Sequence, residues 1–192
     1  MPHLDHFSLI APFYDRIFGR LDVTRLRELL ALPAGRLLDV GGGTGRVAAT
    51  LAGEFEHVVL ADPSQAMLSG ARAKVGLKPA RAHAERLPFA DGSFDRVLVV
   101  DAFHHFAHQE QAAAEMLRVL APGGRLVVEE MNYERLPVKL VALGEKALLM
   151  GSRFHGPDGL RRLFEGRGAT VTVRADSEIN VWVMVEKQGG QT

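Results

Sequence analysis

The sequence predicts an α/β protein built on a doubly wound, mostly parallel β-sheet with helices on both faces. Short runs rich in β-branched residues alternate with helix-like segments from Arg36 onward, and repeated strand–helix units connect parallel strands. The runs are continuously apolar, which is typical of strands buried on both faces. Two segments near the end alternate polar and apolar residues instead, which adds an antiparallel pair at the edge of the sheet.

Five strands are predicted where the strand–helix alternation holds. The first is the apolar run RLLDV, which ends at glycines. Helices are predicted between the strands, with Pro63 near the start of the second helix, where proline is tolerated, and with APGG stopping the third. The predicted strands are 36–40, 57–62, 79–89 (a weaker edge strand), 94–103 and 125–131, and the helices are 44–53, 63–75 and 109–120.

The pattern changes after residue 131. Two helices follow, and then two strands of period-two alternation that we expect to pair antiparallel. No internal repeat or linker divides the chain, so we expect one domain. Its parts are an N-terminal helical cap (1–35), a core (36–131), a helical cover (132–166, with helices at 137–150 and 157–166) and a terminal strand pair (167–186, with strands at 170–175 and 180–187).

Composition and charge exclude several classes of function. The 192 residues are 47% hydrophobic and 24% charged, as in ordinary soluble globular proteins. Lys plus Arg equals Asp plus Glu at 23 each, so no bulk field attracts nucleic acid or anionic lipid, and no nucleic-acid partner is expected. The absence of cysteine excludes disulfides, thiolate nucleophiles and cysteine-bound metals.

Two segments indicate where in the cell the protein is expected. The N-terminal residues lack the basic leader of a signal peptide. The longest apolar region, 136–150, is interrupted by Lys139, Glu145 and Lys146, and it is too short and too charged to span a bilayer. Together with the lack of cysteine, this predicts a cytoplasmic protein without stable membrane insertion.

A cluster of glycines directly follows the first predicted strand. Gly41, Gly42 and Gly43 stand in a row, and Gly45 is the fourth. Glycine loses more conformational entropy on folding than any other residue, so such a cluster needs a reason. In an open parallel sheet, ligands bind beyond the carboxyl ends of the strands. The cluster therefore predicts a loop whose backbone approaches a ligand, rather than a bare turn.

The residues around the glycines indicate which class of ligand the loop binds. The dinucleotide fingerprint G-x-G-x-x-G needs a glycine where this chain has Arg46, so that motif fails. Asp39 precedes the glycines, and an acid there suits a ligand with an ammonium group better than a pyrophosphate. Asp62 ends the second strand and can accept hydrogen bonds from both hydroxyls of a ribose. Capping of the following helix, ahead of Pro63, is the alternative role for Asp62.

Four segments resemble, in order and with the usual spacing, the signatures of class I S-adenosylmethionine-dependent methyltransferases. They are LLDVGGGTGRVA, VVLADPSQAML, AERLPFADGSFDRVLVVDAFHHF and MLRVLAPGGRLVVEE. The likeness covers residues 36–131 and is greatest to the small-molecule branch that includes the ubiquinone/menaquinone C-methyltransferases. It implies a Rossmann-like seven-stranded sheet, S-adenosyl-L-methionine as cofactor, S-adenosyl-L-homocysteine as product and a small-molecule methyl acceptor.

The resemblance also implies the cofactor contacts. Asp39 would reach the ammonium group and Asp62 would hold the ribose. His83 stands where the family usually has aspartate, so it must replace the contact to the adenine amino group or that contact is lost. Gly42 replaces a frequent cysteine. Pro63 and Met67 would lie against the adenine, Ala84 and Glu85 would approach its edge, and Asp101 and Ala102 would form the wall beside the sulfonium. The implied cofactor residues are Asp39, Gly41, Gly42, Gly43, Asp62, Pro63, Met67, His83, Ala84, Glu85, Asp101 and Ala102.

Methyl transfer depends first on positioning, and no dedicated catalytic side chain is strictly required. A base helps when the acceptor must lose a proton. His104, followed by His105 and His108, comes after the fourth strand. His104 sits where related proteins often carry a histidine, which makes it the catalytic or acceptor-contact candidate, with loop packing as the alternative. Metal binding is not expected, because this H-H-x-x-H stretch lacks an acid partner and the helical context of known sites.

Two segments are candidates to cover the site. The resemblance suggests that Tyr14 belongs to a lid with its hydroxyl near the methionine carboxylate, while core packing is the alternative. Residues 150–160 lie between two predicted helices, and there Arg153 and His155 either meet the acceptor or stay solvated. The Leu- and Met-rich segment 132–151 is interpreted as a cover over an apolar acceptor or as a contact in a homodimer.

Three other functions fit the sequence less well or equally well. A non-catalytic S-adenosylmethionine-binding partner subunit would have the same binding residues, and turnover of a labelled methyl group separates the two. A nucleic-acid amino-methyltransferase would resemble its family by an Asn/Asp-Pro-Pro-aromatic motif, but this chain has Asp-Ala-Phe-His over 101–104. A nicotinamide-dependent oxidoreductase fails at Arg46.

Overall fold

The computed structural model describes residues 23–32, 34–147, 151–176 and 179–189. Within these ranges seven strands form one sheet of order β3-β2-β1-β4-β5-β7-β6. Strands β1 to β5 are parallel, and β7 lies antiparallel between β5 and β6. The strands are β1 (Ala34–Val40), β2 (Phe55–Asp62), β3 (Leu77–Arg81), β4 (Phe94–Val100), β5 (Leu120–Met131), β6 (Ala169–Ala175) and β7 (Asn180–Lys187). The predicted fold class is confirmed.

Helices cover both faces of the sheet. The buried side chains of β1 alternate between two apolar clusters, with Leu38 and Val40 in one and Leu37 in the other. The helices are α1 (Val23–Leu30), α2 (Arg46–Leu51), α3 (Gln65–Arg72), α4 (Gln109–Val119), α5 (Leu136–Ala147) and α6 (Pro157–Phe164), with 3-10 turns at Ala52–Glu54 and Phe103–His105. The first cluster takes in α4 and α6, and the second takes in α1, α2 and α3.

Strand β5 starts earlier than predicted. The APGG stretch was expected to separate α4 from a strand beginning at 125, but Leu120 already pairs with Phe94, and the register shifts before the pair Arg96–Arg125. A Cβ at Gly124 would lie 2.8 Å from the carbonyl oxygen of Ala121. The glycines therefore accommodate an irregularity inside a long strand, as in a β-bulge.

The segment predicted as an edge strand over 79–89 is mostly loop. β3 ends at Arg81, and beyond it one isolated bridge joins His83 and Arg86. β4 also ends before the predicted boundary, at Val100, because the chain turns at Asp101, whose φ is +51°.

Helix α5 exposes apolar side chains. Leu136, Leu140 and Leu143 are 69%, 62% and 64% exposed, whereas Val138 is buried. This is the Leu-rich segment interpreted as an acceptor cover or a dimer contact. Among the described residues, α5 and the other helices are all too short or too polar to cross a membrane.

Candidate active site

The glycine loop lies at the carboxyl edge of the sheet, where the strand order changes direction between β1 and β4. This is the position at which open α/β sheets bind ligands. The backbone N–H of Gly41 donates to the carbonyl of Ala61 (2.7 Å), and that of Gly45 donates to the carbonyl of Gly42 (2.9 Å). These bonds fold the loop into a tight turn that leads directly into α2.

Two of the glycines are required by packing. A Cβ at Gly41 would lie 2.8 Å from the Cβ of Ala102, and one at Gly45 would lie 2.5 Å from Cδ1 of Leu77. Both residues also have a left-handed backbone, with φ of +72° and +74°, which side chains disfavour. Ala102, predicted to form a wall beside the sulfonium, thus packs against the loop.

The other two glycines differ from each other. A Cβ at Gly42 would lie 2.5 Å from Oδ2 of Asp39, so the space that a side chain would need there is taken by that carboxylate. At Gly43, with φ of +56°, the nearest atom is Cε of Met67 at 3.9 Å. Gly43 is therefore the point of the loop where a ligand can approach the backbone, with buried Met67 beside it.

Asp62 joins the glycine loop to α3. Its Oδ2 accepts a hydrogen bond from the N–H of Gly43 (3.0 Å), and its Oδ1 accepts one from the N–H of Ser64 (2.8 Å). Ser64, not Asp62, is the N-cap of α3, since its hydroxyl accepts from Met67. The helix-capping alternative for Asp62 was therefore wrong, and Pro63 precedes the cap. A carboxylate has about four acceptor sites, so these two bonds do not exhaust its capacity.

Asp39 is a buried carboxyl with an unpaired oxygen. The residue is 1% exposed, and its Oδ2 has no hydrogen-bond partner among the described residues. Burial, and then the negative charge of Asp62, raise the pKa of Asp39 to about 7, while the cation of Arg46 opposes the shift. A buried unpaired carboxyl is unfavourable unless a donor reaches it. The residue therefore fits the predicted ammonium group, and Gly43 fits the close approach of the cofactor to the backbone.

The loop after β3 borders the same edge. The N–H of Ala82 donates to the carbonyl of Asp62 (3.2 Å), which brings the following residues beside the end of β2. Ala84 is buried and His83 is exposed. Oε1 of Glu85 accepts from the N–H of His108 (3.1 Å), so it anchors this loop to the start of α4. These are the positions predicted to face the adenine.

His104 forms a buried pair with Glu130. Its Nδ1 lies 2.7 Å from Oε2 of Glu130, and the side chains are 2% and 4% exposed. Oε1 of Glu130 accepts from the N–H groups of Phe103 (2.7 Å) and His104 (3.4 Å). Because an ionised carboxylate only accepts, Nδ1 carries a proton, and in a neutral ring Nε2 then holds the lone pair. Sequence reasoning missed Glu130, although the last glutamate of VVEE at a strand end was the available signal.

Residues 151–156 pack over this histidine. The ring of Phe154 stacks on that of His104 with centroids 4.3 Å apart, and the N–H of Arg153 donates to the carbonyl of His104 (2.8 Å). Nδ1 of His105 lies 3.0 Å from the Ser152 hydroxyl oxygen, and burial, followed by the effect of His104, lowers the pKa of His105 to about 3. The segment thus covers the turn that follows β4.

The remaining site candidates are less connected to this edge. Nε2 of His155 lies 2.8 Å from Oε1 of Gln109, and burial lowers the pKa of its ring, so it supports α4. His108 precedes α4 and is exposed. Tyr14 lies outside the described residues.

Sequence comparison finds a family match over part of the chain. Residues 38–128 match the family described as "Methyltransferase domain". The ubiquinone/menaquinone biosynthesis C-methyltransferase UbiE of Pseudomonas putida is 40% identical over 116 residues, 55% of this chain and 45% of the relative. The demethylmenaquinone methyltransferase of Beutenbergia cavernae is 41% identical over 119 residues, 62% and 48% of the two chains. The chain spans less than half the length of these relatives.

Structure comparison extends the likeness to nearly the whole chain. A SAM-dependent methyltransferase from Thermotoga maritima has a TM-score of 0.76 and 27% identity, covering 95% of this chain and 98% of its own. A methyltransferase in complex with the Haloferax volcanii activator Trm112 has a TM-score of 0.82 at 20% identity, over 96% and 99%. The [4+2]-cyclase SpnF has a TM-score of 0.78 at 18% identity, over 96% and 94%. The last two show the fold alone, and the cyclase shows that the fold does not fix the reaction.

Proposed function

We propose that this chain, whose residues 38–128 match a methyltransferase domain, transfers the methyl group of S-adenosylmethionine to a small-molecule acceptor. The single observation that carries the proposal is the hydrogen bond between Gly43 and Asp62 (3.0 Å). It brings Gly43, the loop glycine at which a Cβ would meet nothing closer than 3.9 Å, to the acid that ends β2. The comparisons support the cofactor, and the contacts below support the way it would be held.

Three residues would each contact a different part of the cofactor. Asp62 would accept hydrogen bonds from the ribose hydroxyls, which are worth about 1.5–3 kcal/mol each when the acceptor is charged. Asp39 would bind the ammonium group through its unpaired Oδ2. Met67, whose Cε lies 3.9 Å from where a Cβ at Gly43 would stand, would lie against the adenine. The wall beside the sulfonium would come from Asp101 and Ala102.

The chemistry requires little more than orientation. When bound, S-adenosylmethionine supplies an electrophilic methyl group on a positively charged sulfur. The chain holds the acceptor in line and excludes water, which can supply on the order of 7–11 kcal/mol. Where the acceptor must lose a proton, Nε2 of His104 would take it, because Glu130 fixes the proton on Nδ1 (2.7 Å).

Calorimetry with S-adenosylmethionine and S-adenosylhomocysteine tests the binding half of the proposal. We expect micromolar affinity, no binding of NAD, and a loss of about 1.5–3 kcal/mol in Asp62→Ala. Glu56→Ala is the matched control, because Glu56 is exposed near the opposite end of the same strand. Undiminished affinity in Asp62→Ala would contradict the ribose role.

Transfer of a labelled methyl group tests the catalytic half. The acceptor panel begins with quinols, because the relatives are named for ubiquinone and menaquinone biosynthesis. Binding of the cofactor without turnover on the panel or on a small-molecule extract would favour the alternative of a non-catalytic partner subunit.

A further inference from the structure

Two adjacent glutamates at the end of β5 differ in their hydrogen bonding. Glu130 is fully engaged, with both oxygens accepting hydrogen bonds from the turn after β4. Glu129 points to the other face, because successive side chains of a strand alternate. It is 9% exposed, and its Oε2 has no hydrogen-bond partner among the described residues. A buried carboxyl oxygen without a donor calls for a functional explanation.

Trp182 carries the complementary unpaired group. It lies directly opposite Glu129 in the antiparallel ladder of β5 and β7, so the two side chains leave the same face of the sheet. The indole is 2% exposed, and within the described ranges its Nε1 has no hydrogen-bond partner, although buried tryptophan N–H groups usually find one. The guanidinium of Arg25 lies over the ring at 4.9 Å, which fixes the indole against α1.

The pair lies on the other side of β4 from the glycine loop. Gly43 follows β1 and Asp62 ends β2, whereas Glu129 and Trp182 lie on β5 and β7, beyond β4. The carbonyl of Glu129 accepts from the N–H of Asp101 (3.0 Å), so this site adjoins the turn predicted to border the sulfonium.

We propose that Glu129 and Trp182 form a subsite that binds a hydroxyl group of the methyl acceptor, an inference that rests on the proposed function. One hydroxyl oxygen can donate its proton to the carboxylate and accept from the indole N–H. An ammonium group has no lone pair for the indole. An ether or carbonyl oxygen has no proton for the ionised carboxylate, so neither satisfies both groups.

The surroundings of Glu129 set the pH range in which its carboxyl is ionised and can accept a hydrogen bond. Burial and then the charge of Asp101 raise the pKa of Glu129 to about 7; Arg46 opposes them, and Glu130 and Asp176 add to the rise. The carboxyl is therefore mostly ionised at pH 8 and remains an acceptor there. A carbonyl ligand would need the protonated carboxyl, and its binding would weaken as the pH rises through this range.

The single tryptophan of the chain makes the subsite directly observable. In a ¹H–¹⁵N spectrum at pH 8 with saturating S-adenosylhomocysteine, the one indole N–H signal is followed while 2-naphthol is added. We expect a saturable downfield shift, and at least tenfold weaker binding of 2-methoxynaphthalene, which has the same rings but no hydroxyl proton.

Two variants complete the test. Glu129→Gln should stay folded and bind S-adenosylhomocysteine normally, yet weaken the 2-naphthol response about tenfold, which is the effect of one hydrogen bond of roughly 1.4 kcal/mol. Glu110→Gln, an exposed position on α4, should leave the response unchanged. The proposal would be overturned by equal responses to the two naphthalenes or by an unchanged response in Glu129→Gln. It would also be overturned if the indole signal did not shift with either compound. If the wild type did not bind S-adenosylhomocysteine, that result would instead contradict the proposed function.

Discussion

The Oδ2 atom of Asp62 accepts a hydrogen bond from the backbone N–H of Gly43 over 3.0 Å. Strands β1 and β2 bring these residues together, because Val40 pairs with Ala61 at the carboxyl end of the two strands. The bond joins a carboxylate that can bind a sugar to the part of the loop that a ligand can approach. A change at either residue is therefore expected to affect both the loop and the ligand.

Gly43→Ala and Gly45→Ala should separate ligand binding from packing. A methyl group at Gly43 meets nothing closer than 3.9 Å, so we expect a loss of only about 1–2 kcal/mol in unfolding free energy from the left-handed backbone. Its affinity for S-adenosylhomocysteine should nevertheless fall at least tenfold. At Gly45 the methyl lies 2.5 Å from Leu77, and the loss should reach about 2–4 kcal/mol. Urea unfolding and calorimetry give both quantities, and wild-type affinity in Gly43→Ala would rule out the loop as the cofactor site.

Cofactor binding should expel a proton from Asp39. Its pKa is raised to about 7 by burial first and then by Asp62, whereas an ammonium ligand favours the ionised carboxylate. Affinity for S-adenosylhomocysteine should therefore increase about tenfold from pH 6 to pH 8 and then level off. Calorimetry in two buffers of different ionisation enthalpy measures the released proton. An Asp39→Asn variant that kept the same pH dependence would assign the proton to another group.

The same carboxyl should make stability depend on pH in a defined direction. The unfolded chain loses the proton of Asp39 near pH 4, and the native state keeps it to about pH 7. The native state therefore binds more protons between these values, and the contribution of Asp39 to stability falls as the pH rises through that window. Asp39→Asn should be more stable than the wild type at pH 8, and the difference should vanish near pH 4. Urea unfolding of both proteins at pH 4 and at pH 8 measures this difference in stability.

Glu130→Ala should be among the more destabilising single changes at this edge. It would leave the N–H of Phe103 and the ring of His104 without a buried acceptor, and loss of one partner of a buried pair lowers the unfolding free energy by about 3–5 kcal/mol. Glu130→Gln should lose less and should change the tautomer of His104, which ¹⁵N imidazole shifts detect. An unaltered tautomer in Glu130→Gln would mean that the carboxylate does not orient the ring.

Arg118→Lys should loosen the loop that borders the predicted adenine site. The guanidinium donates to the carbonyls of Phe89 (2.8 Å) and Leu87 (3.0 Å) and pairs with Glu115 (2.7 Å). Lysine keeps the charge but cannot reproduce this planar fork, so we expect a loss of about 1–3 kcal/mol in unfolding free energy. Hydrogen exchange should rise at Leu87 but not in β1. Unchanged protection of the loop would show that Arg118 does not hold it.

Local patterns made the sheet and the glycine loop predictable. RLLDV is apolar enough to specify a buried strand, and glycines that follow it specify a turn at the ligand edge. The APGG stretch was misjudged because glycines carry the same local signal whether they stop a helix or relieve a bulge. Only the pairing of Leu120 with Phe94, a long-range contact, distinguishes the two.

The details of the site that could not be predicted depend on non-local packing. Asp62 and Ser64 are both good helix caps, and only the position of the glycine loop decides which one caps α3. Glu130 reaches His104 because β5 lies beside β4 and because that glutamate, not Glu129, faces the turn. The motif contains both glutamates, but their faces follow from the register of the folded sheet.

The position of β7 between β5 and β6 affects the order in which the chain can fold during synthesis. The five parallel strands leave the ribosome well before residues 180–187, so one side of β5 initially has unpaired backbone groups. Exposed strand edges of this kind recruit other chains. The nascent domain is thus vulnerable to aggregation until β7 arrives, and a ribosome stall between α6 and β7 would leave a chain with an open edge.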